Sequence, residues 1–262
     1  MKARVLSVYD EGSIPDTPLI GARGFSVLVD ADGQRTLFGT GRRGSYLMHN
    51  LDYLEVDVNS VDRVVISHMH IDHVGGLETF LEKREKSIEV IIPPDGENVT
   101  KAKFLGIPLR RTGIPMMSEE ARSMMMLRTA GERTKLSENL FLSGPSSKGT
   151  DPPVDENLMV LMTLNGPVLI CGCCHRGLAD AVEYVESETS RKISAILGGV
   201  HLTGMRKKEV HAIAEMLKDK GPPAMYLNHC SGQVQRTHLR EKLGLNAVKD
   251  MYVGTEIQFD VR

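Results

Sequence analysis

The sequence predicts one domain of mixed strands and helices, of the α/β or two-sheet kind. Three observations predict it. The chain has 262 residues, long for a single domain but ordinary for these architectures and ample for a large core. Ten short apolar or alternating runs read as strands. A smaller set of stretches reads as helices, most of them late in the chain.

In chain order, strands are expected near 3–8, 25–30, 35–38, 62–66, 88–92, 157–163, 167–171, 193–197, 223–227 and 254–259. An early helix is expected over about 45–54. Later, Leu178, Val182 and Val185 recur at i, i+4 and i+7, and Val210, Ile213 and Leu217 at i, i+3 and i+7. A last helix is expected over about 232–243. Residues 93–156 lack clear periodicity and are rich in Pro and Gly. Between Lys101 and Lys135, eight Lys/Arg face three acids, and five of the fourteen methionines lie there. The segment reads either as a solvated loop or as an adaptable lid with a positive face, suited to an anionic substrate. The expected organisation is one domain over 1–262 with this basic, Met-rich lid.

Composition excludes several classes. A formal charge of −2 argues against a dedicated nucleic-acid binder. No apolar run approaches the ~18–20 residues of a membrane span. The opening "MKARVLSVYDEG" turns polar too soon for a signal peptide and reads as a strand. Cys171, Cys173 and Cys174 cluster, and Cys230 is the fourth. Neighbours this close pair poorly, so no disulfide framework is expected and a reducing cytoplasm is. The expected partner is a small anionic molecule, with neither nucleic acid nor membrane. A homo-oligomer stays open, since the Met-rich segment could line an interface.

The chemistry concentrates in "VVISHMHIDHVGG". Val64, Val65 and Ile66 form a buried strand, and His68 and His70 follow it two apart, on one side in extended backbone. Asp72 and His73 sit where the chain turns toward a helix beginning "VGGLETF". Gly75 and Gly76 would let other backbone, or the site, come close. Imidazole and carboxylate ligands suit zinc first, with iron or manganese as alternatives. Four such ligands exceed what one open catalytic ion needs and suit two adjacent divalent ions. Further ligands must come from afar. Three apolar runs end in a histidine: "VLICGCCH" at His175, "ISAILGGVH" at His201 and "AMYLNHC" at His229. His201 stands apart, as a supporting group or proton donor. His49, His211 and His238 fall on expected helices and carry no assigned role.

HxHxDH followed by GG and preceded by "FGTGRRG" resembles the metallo-β-lactamase superfamily. "RGFSVLVD", "CGCCHRG", "GGVHL" and "NHCSG" resemble the branch described as metal-dependent hydrolases of β-lactamase superfamily II. Some archaeal members of that branch are assigned as a pterin transferase, dihydropterin–ribofuranosylaminobenzene phosphate synthase. The resemblance implies an α+β fold, a four-layer αββα sandwich of two mixed sheets flanked by helices, with the site at one edge. It implies that His68, His70 and His175 hold one ion, and Asp72, His73 and His229 the other.

Three departures from that pattern stand out. Gly39 occupies the place of an Asp that would brace the histidine loop. The Asp that would bridge two ions is absent, and Cys173 stands in its neighbourhood as a ligand or as filler. Arg23 precedes Gly24 where the branch has His, and its fork geometry suits phosphate. The leading expectation is a hydrolase in which a metal-activated water attacks an ester or phosphate, with Asp72 and His201 catalytic. Arg23, Asn50, Arg110 and Arg111 are the expected substrate contacts. The alternatives are transfer from a pterin diphosphate, or a non-catalytic metal- or ligand-binding protein.

Overall fold

The computed structural model describes residues 1–97, 101–104, 107–111, 113–146 and 155–262, with side chains described for 1–97, 113–144 and 155–262. The first half carries β1 (Lys2–Tyr9), β2 (Ser26–Ala31), β3 (Gln34–Phe38), α1 (Gly44–Tyr53), β4 (Arg63–Val65), α2 (Ile71–Val74), α3 (Leu77–Glu82), β5 (Ile88–Ile92), β6 (Lys101–Phe104), β7 (Ile107–Arg111), α4 (Glu119–Ser123) and β8 (Met125–Thr129). The second carries β9 (Arg133–Lys135), β10 (Leu140–Ser146), β11 (Glu156–Thr163), β12 (Gly166–Cys171), α5 (Leu178–Thr189), β13 (Ala195–Gly198), α6 (Lys207–Lys220), β14 (Ala224–Leu227), α7 (Gln233–Leu243), β15 (Val248–Asp250) and β16 (Glu256–Asp260).

Two seven-stranded sheets result, ordered β16-β1-β2-β3-β4-β5-β8 and β15-β14-β13-β12-β11-β10-β9, with β6 and β7 paired apart. Both are mixed in the same manner. The pairs among β16, β1, β2 and β3 are antiparallel, and those among β3, β4, β5 and β8 parallel. In the second sheet β9 to β12 pair antiparallel, and β12 to β15 parallel.

Period-2 alternation sends each strand's side chains to two cores. Val27, Val29 and Val65 face the second sheet, where they meet Met159, Leu161, Val168 and Ile170. Leu28, Val64 and Ile66 face outward onto Leu47, Leu51, Phe80 and Leu81 of α1 and α3. The second sheet turns Leu158, Val160 and Leu169 toward Val182, Val185, Val210 and Leu217 of α5 and α6. The layers are therefore α, β, β, α, as expected. Burying a Val or Leu side chain contributes about 1.5–3 kcal/mol, so three apolar cores hold the four layers together. Asp32 and Gly33, both at positive φ, make the tight β2–β3 turn.

All ten expected strands and the four expected ranges of helix are present within a few residues. The stretch 93–156 differs from its expectation as one lid-like unit. Met125–Thr129 forms the outermost strand of the first sheet, and 133–146 supplies the last two strands of the second. Its periodicity is weak because β8 lies at a sheet edge, with Met126 and Leu127 exposed. Among the described residues, no helix is long and apolar enough to cross a membrane.

Candidate metal centre

The parallel strands end at one edge of the sandwich, and their carboxyl ends deliver the candidate ligands, as open α/β sheets commonly do. β4 leads to His68, His70, Asp72 and His73; β12 to Cys173 and His175; β13 to His201; β14 to His229. His70 is the N-cap residue of α2, which carries Asp72 and His73 on its single turn. The helix expected from "VGGLETF" thus starts earlier and breaks at Gly75–Gly76. What comes close to these glycines is not the metal site. A Cβ on either would collide with the carbonyl oxygens of Arg42 or Thr40.

The histidine rings converge. His68 Nε2 lies 3.1 Å from His70 Nδ1 and 3.2 Å from His175 Nε2. His73 Nε2 lies 3.2 Å from His229 Nε2. His68, His70 and His175 form one group, and Asp72, His73 and His229 another, each with its ligand atoms within 4.8 Å of one another. Cys173 Sγ lies 3.3 Å from His73 Nε2 and 3.4 Å from His229 Nε2. Ring nitrogens aimed at a common point repel unless a proton or a cation lies between them. The donor sets, three imidazoles and two imidazoles with a carboxylate, fit a divalent ion.

Electrostatics agree with that fit. Burial and neighbouring imidazoles, His73 foremost, push His68 well below the usual histidine range. Burial and His229 do the same to His73. Burial would raise Asp72, but His73 and His229 hold it down to about 2. Burial lowers His229, yet Glu11, Cys230, Asp10 and Asp72 carry it up to about 9.

Two buried carboxylates hold the ligand loops from beneath. Glu156 accepts the backbone N–H groups of Cys173 at 2.7 Å, Cys174 at 2.9 Å and also His175. Its Oε1 lies 3.7 Å from His68 Nδ1. Asp10 accepts the N–H of Glu11 at 2.6 Å and of His229 at 3.0 Å. Ser67 Oγ lies 3.1 Å from His68 Nδ1 and 3.5 Å from His73 Nδ1. These groups, with the Thr40 N–H on the His73 carbonyl at 2.7 Å, support the loop that an Asp at 39 would otherwise brace. Gly39 sits at φ +80°, and a Cβ there would lie 2.5 Å from the Phe25 carbonyl oxygen. Any side chain at 39 would therefore be strained on this backbone.

A cleft of about 1050 Å³ opens over the two groups, lined among others by Arg23, Arg42, Met69, Met116, His201, Thr203 and Cys230. Arg23 reaches Asp72 Oδ2 at 3.4 Å and remains largely exposed. His201 lies at the mouth in a left-handed backbone conformation, with its ring centroid 4.8 Å from that of His175. A hydrogen bond to Cys230 raises its pKa, against burial, which lowers it.

Asn50 is a correction. It is fully buried, donates to the carbonyls of Val8 and Ile20 at 3.0 Å each, and accepts from the Ile20 N–H at 2.8 Å. Its hydrogen-bonding capacity staples α1 to β1, away from the cleft. Arg110 and Arg111 fall on β7, whose side chains lie outside the described residues. Sequence reasoning missed Glu156, Asp10, Ser67, Arg42 and Cys230. Only adjacency could have flagged them, Ser67 beside the histidines and Arg42 in "FGTGRRG". His211, His238 and Glu241 also cluster, but Lys207 already pairs with Glu241 at 2.8 Å. We read that cluster as an ion-pair network between α6 and α7.

The architecture and the ligand groups together define the class: this is a metallo-β-lactamase fold. Residues 20–138 match the model of the metallo-beta-lactamase superfamily. More particularly, the chain is 24% identical over 248 residues, 83% of each chain, to 7,8-dihydropterin-6-methyl-4-(β-D-ribofuranosyl)-aminobenzene-5'-phosphate synthase of Methanocaldococcus jannaschii. Among solved structures it resembles a metal-dependent hydrolase of the β-lactamase superfamily, with a TM-score of 0.80, 24% identity, and 97% and 98% of the two chains covered. It also resembles the metallo-β-lactamase fold protein YhfI from Bacillus subtilis, with a TM-score of 0.64, 13% identity, and 98% and 100% covered.

Proposed function

We propose that this chain is a metal-dependent hydrolase of a small anionic ester or phosphate. One observation carries the reading: two ligand groups share a single cleft that also presents Arg23 and Arg42. His68, His70 and His175 would hold one divalent ion, and Asp72, His73 and His229 a second, zinc first and iron or manganese as alternatives. Bound there, such ions acidify a water and polarise an electrophile. The protein's own groups do the rest. Arg23 and Arg42 draw in and orient the anionic end of the substrate. Asp72, 3.4 Å from Arg23, would help hold the second ion and orient a water beside it. His201 holds a proton at the mouth and gives it to the leaving group. Met69, Val74, Pro115 and Met116 form the apolar wall that limits water.

A second reading is transfer from a pterin diphosphate, favoured by the archaeal synthase relative. Against it, the described lining of the cleft has no Phe, Tyr or Trp to stack on a pterin ring. Metal content per chain, with His68→Ala and His229→Ala alongside, comes first. About two ions in the wild type, with loss in both variants, supports the metal reading. No ion, and no uptake of zinc, manganese or iron(II), would leave a non-catalytic ligand binder. Loaded protein is then tested on phosphoesters and lactones, and on a pterin diphosphate with an aminobenzene ribotide. A condensation product without hydrolysis would replace the hydrolase by the transferase.

A further inference from the structure

Cys173 is buried at the junction of the two ligand groups. Its Sγ approaches His73 and His229 Nε2 at 3.3 and 3.4 Å. It also groups with His68 of the other set, with ligand atoms within 4.8 Å. Among the described residues no carboxylate groups with both sets, since Asp72 belongs to one group alone and Glu156 is engaged by three backbone N–H groups beneath the loop. The thiol is fixed there. Glu156 holds the Cys173 N–H, and a Cβ on Gly172 would collide with Ser67 Oγ, so the strand end sits hard against the histidine loop.

We propose that the Cys173 thiolate is the ligand shared by the two metal positions, in place of a bridging carboxylate. The inference rests on the metal reading above. Cys230 takes the supporting part. It is only partly buried, receives the His201 N–H at 3.3 Å, and reaches the Cys173 carbonyl at 3.7 Å. Thiolate is a softer and more polarisable donor than carboxylate, so the pair of positions favours zinc, cobalt(II) or iron(II) over magnesium or manganese.

The test is cobalt(II) loading of the metal-free full chain, read by absorption and by metal content. Wild-type protein is expected to show a sulfur-to-cobalt charge-transfer band in the near ultraviolet at about two ions per chain. Cys173→Ser should lose the band and bind fewer ions, whereas Cys230→Ser should keep both. Cys173→Asp should regain the second ion without the band, which separates a ligand from a packing role even if the Ser variant folds poorly. Two bound ions with no band in the wild type would overturn the thiolate bridge and leave the metal reading standing. A band that survives Cys173→Ser, or disappears with Cys230→Ser, would also overturn it. No cobalt bound at all would remove the metal reading itself.

Discussion

Glu156 and Cys173 sit side by side where the neighbouring strands β11 and β12 meet the ligand edge, the carboxylate receiving the backbone N–H of the cysteine at 2.7 Å. Seventeen positions apart in sequence, they meet because β11 and β12 run antiparallel, which returns the end of β12 to the start of β11. One buried carboxylate thereby orders three consecutive residues, of which Cys173 and His175 are candidate ligands.

Glu156→Gln tests that support. The amide keeps the shape, but its NH2 has no acceptor among three converging N–H donors. We expect metal affinity to fall roughly 10–100-fold, as for other lost partners of ligand residues. Isothermal titration of the metal-free protein measures it, and an unchanged affinity would show that the loop is held without Glu156.

Gly39→Asp restores the residue that the superfamily pattern would place there. The left-handed backbone costs an L-residue about 1–2 kcal/mol, and the Cβ would press on the Phe25 carbonyl oxygen at 2.5 Å. We expect a less stable protein, not a tighter site. Denaturant unfolding decides it; equal or higher stability would mean that the loop rearranges to admit the side chain.

Arg23→Ala and Arg42→Ala should each raise KM for an anionic substrate about tenfold, roughly 1.4 kcal/mol, while kcat changes little. His201→Ala should do the reverse, retaining metal and losing roughly 10²–10⁴-fold in kcat, the range of a general acid. Full turnover by the His201 variant would end its proton-transfer role, and an unchanged KM in both arginine variants would end theirs.

Asp250 supplies a pH dependence remote from the ligands. Arg236 Nε and Arg240 Nη2 reach its Oδ1 at 2.7 and 2.6 Å, and Arg236 Nη1 continues to Asn228, next to His229, at 3.1 Å. Burial works to raise this carboxyl, but Arg240 and Arg236 hold it below its ordinary value. A depressed folded-state pKa contributes stability that is present in full above the unfolded value, ~3.9, and lost as pH falls through the folded one. The stability gap between wild type and Asp250→Asn should therefore be widest at neutral pH and close in acid. Denaturant midpoints from pH 7 down to pH 3 would show it, and a gap constant with pH would refute the ion-pair account.

Period-2 runs marked ten strands, and helical spacing marked the long helices, because alternation and 3.6-residue repeats are local consequences of backbone geometry. His68, His70, Asp72 and His73 announced themselves by crowding at the end of one such strand, and His175 and His229 by ending others. Amino-acid order thus marked the strands and long helices and picked out the histidines that the fold brings together. Their meeting depended on the sheets. His68 and His175 stand 107 positions apart and touch at 3.2 Å only because two sheets end at the same edge. The same packing turned Asn50 inward to staple α1, brought Glu156 and Asp10 under the loops, and set the Cys173 sulfur between two ligand groups. It also drew β8 and β9 in as edge strands, which carry little alternation, with β10 beside β9. Those roles rest on contacts between residues far apart in the chain, where no short-range pattern registers them.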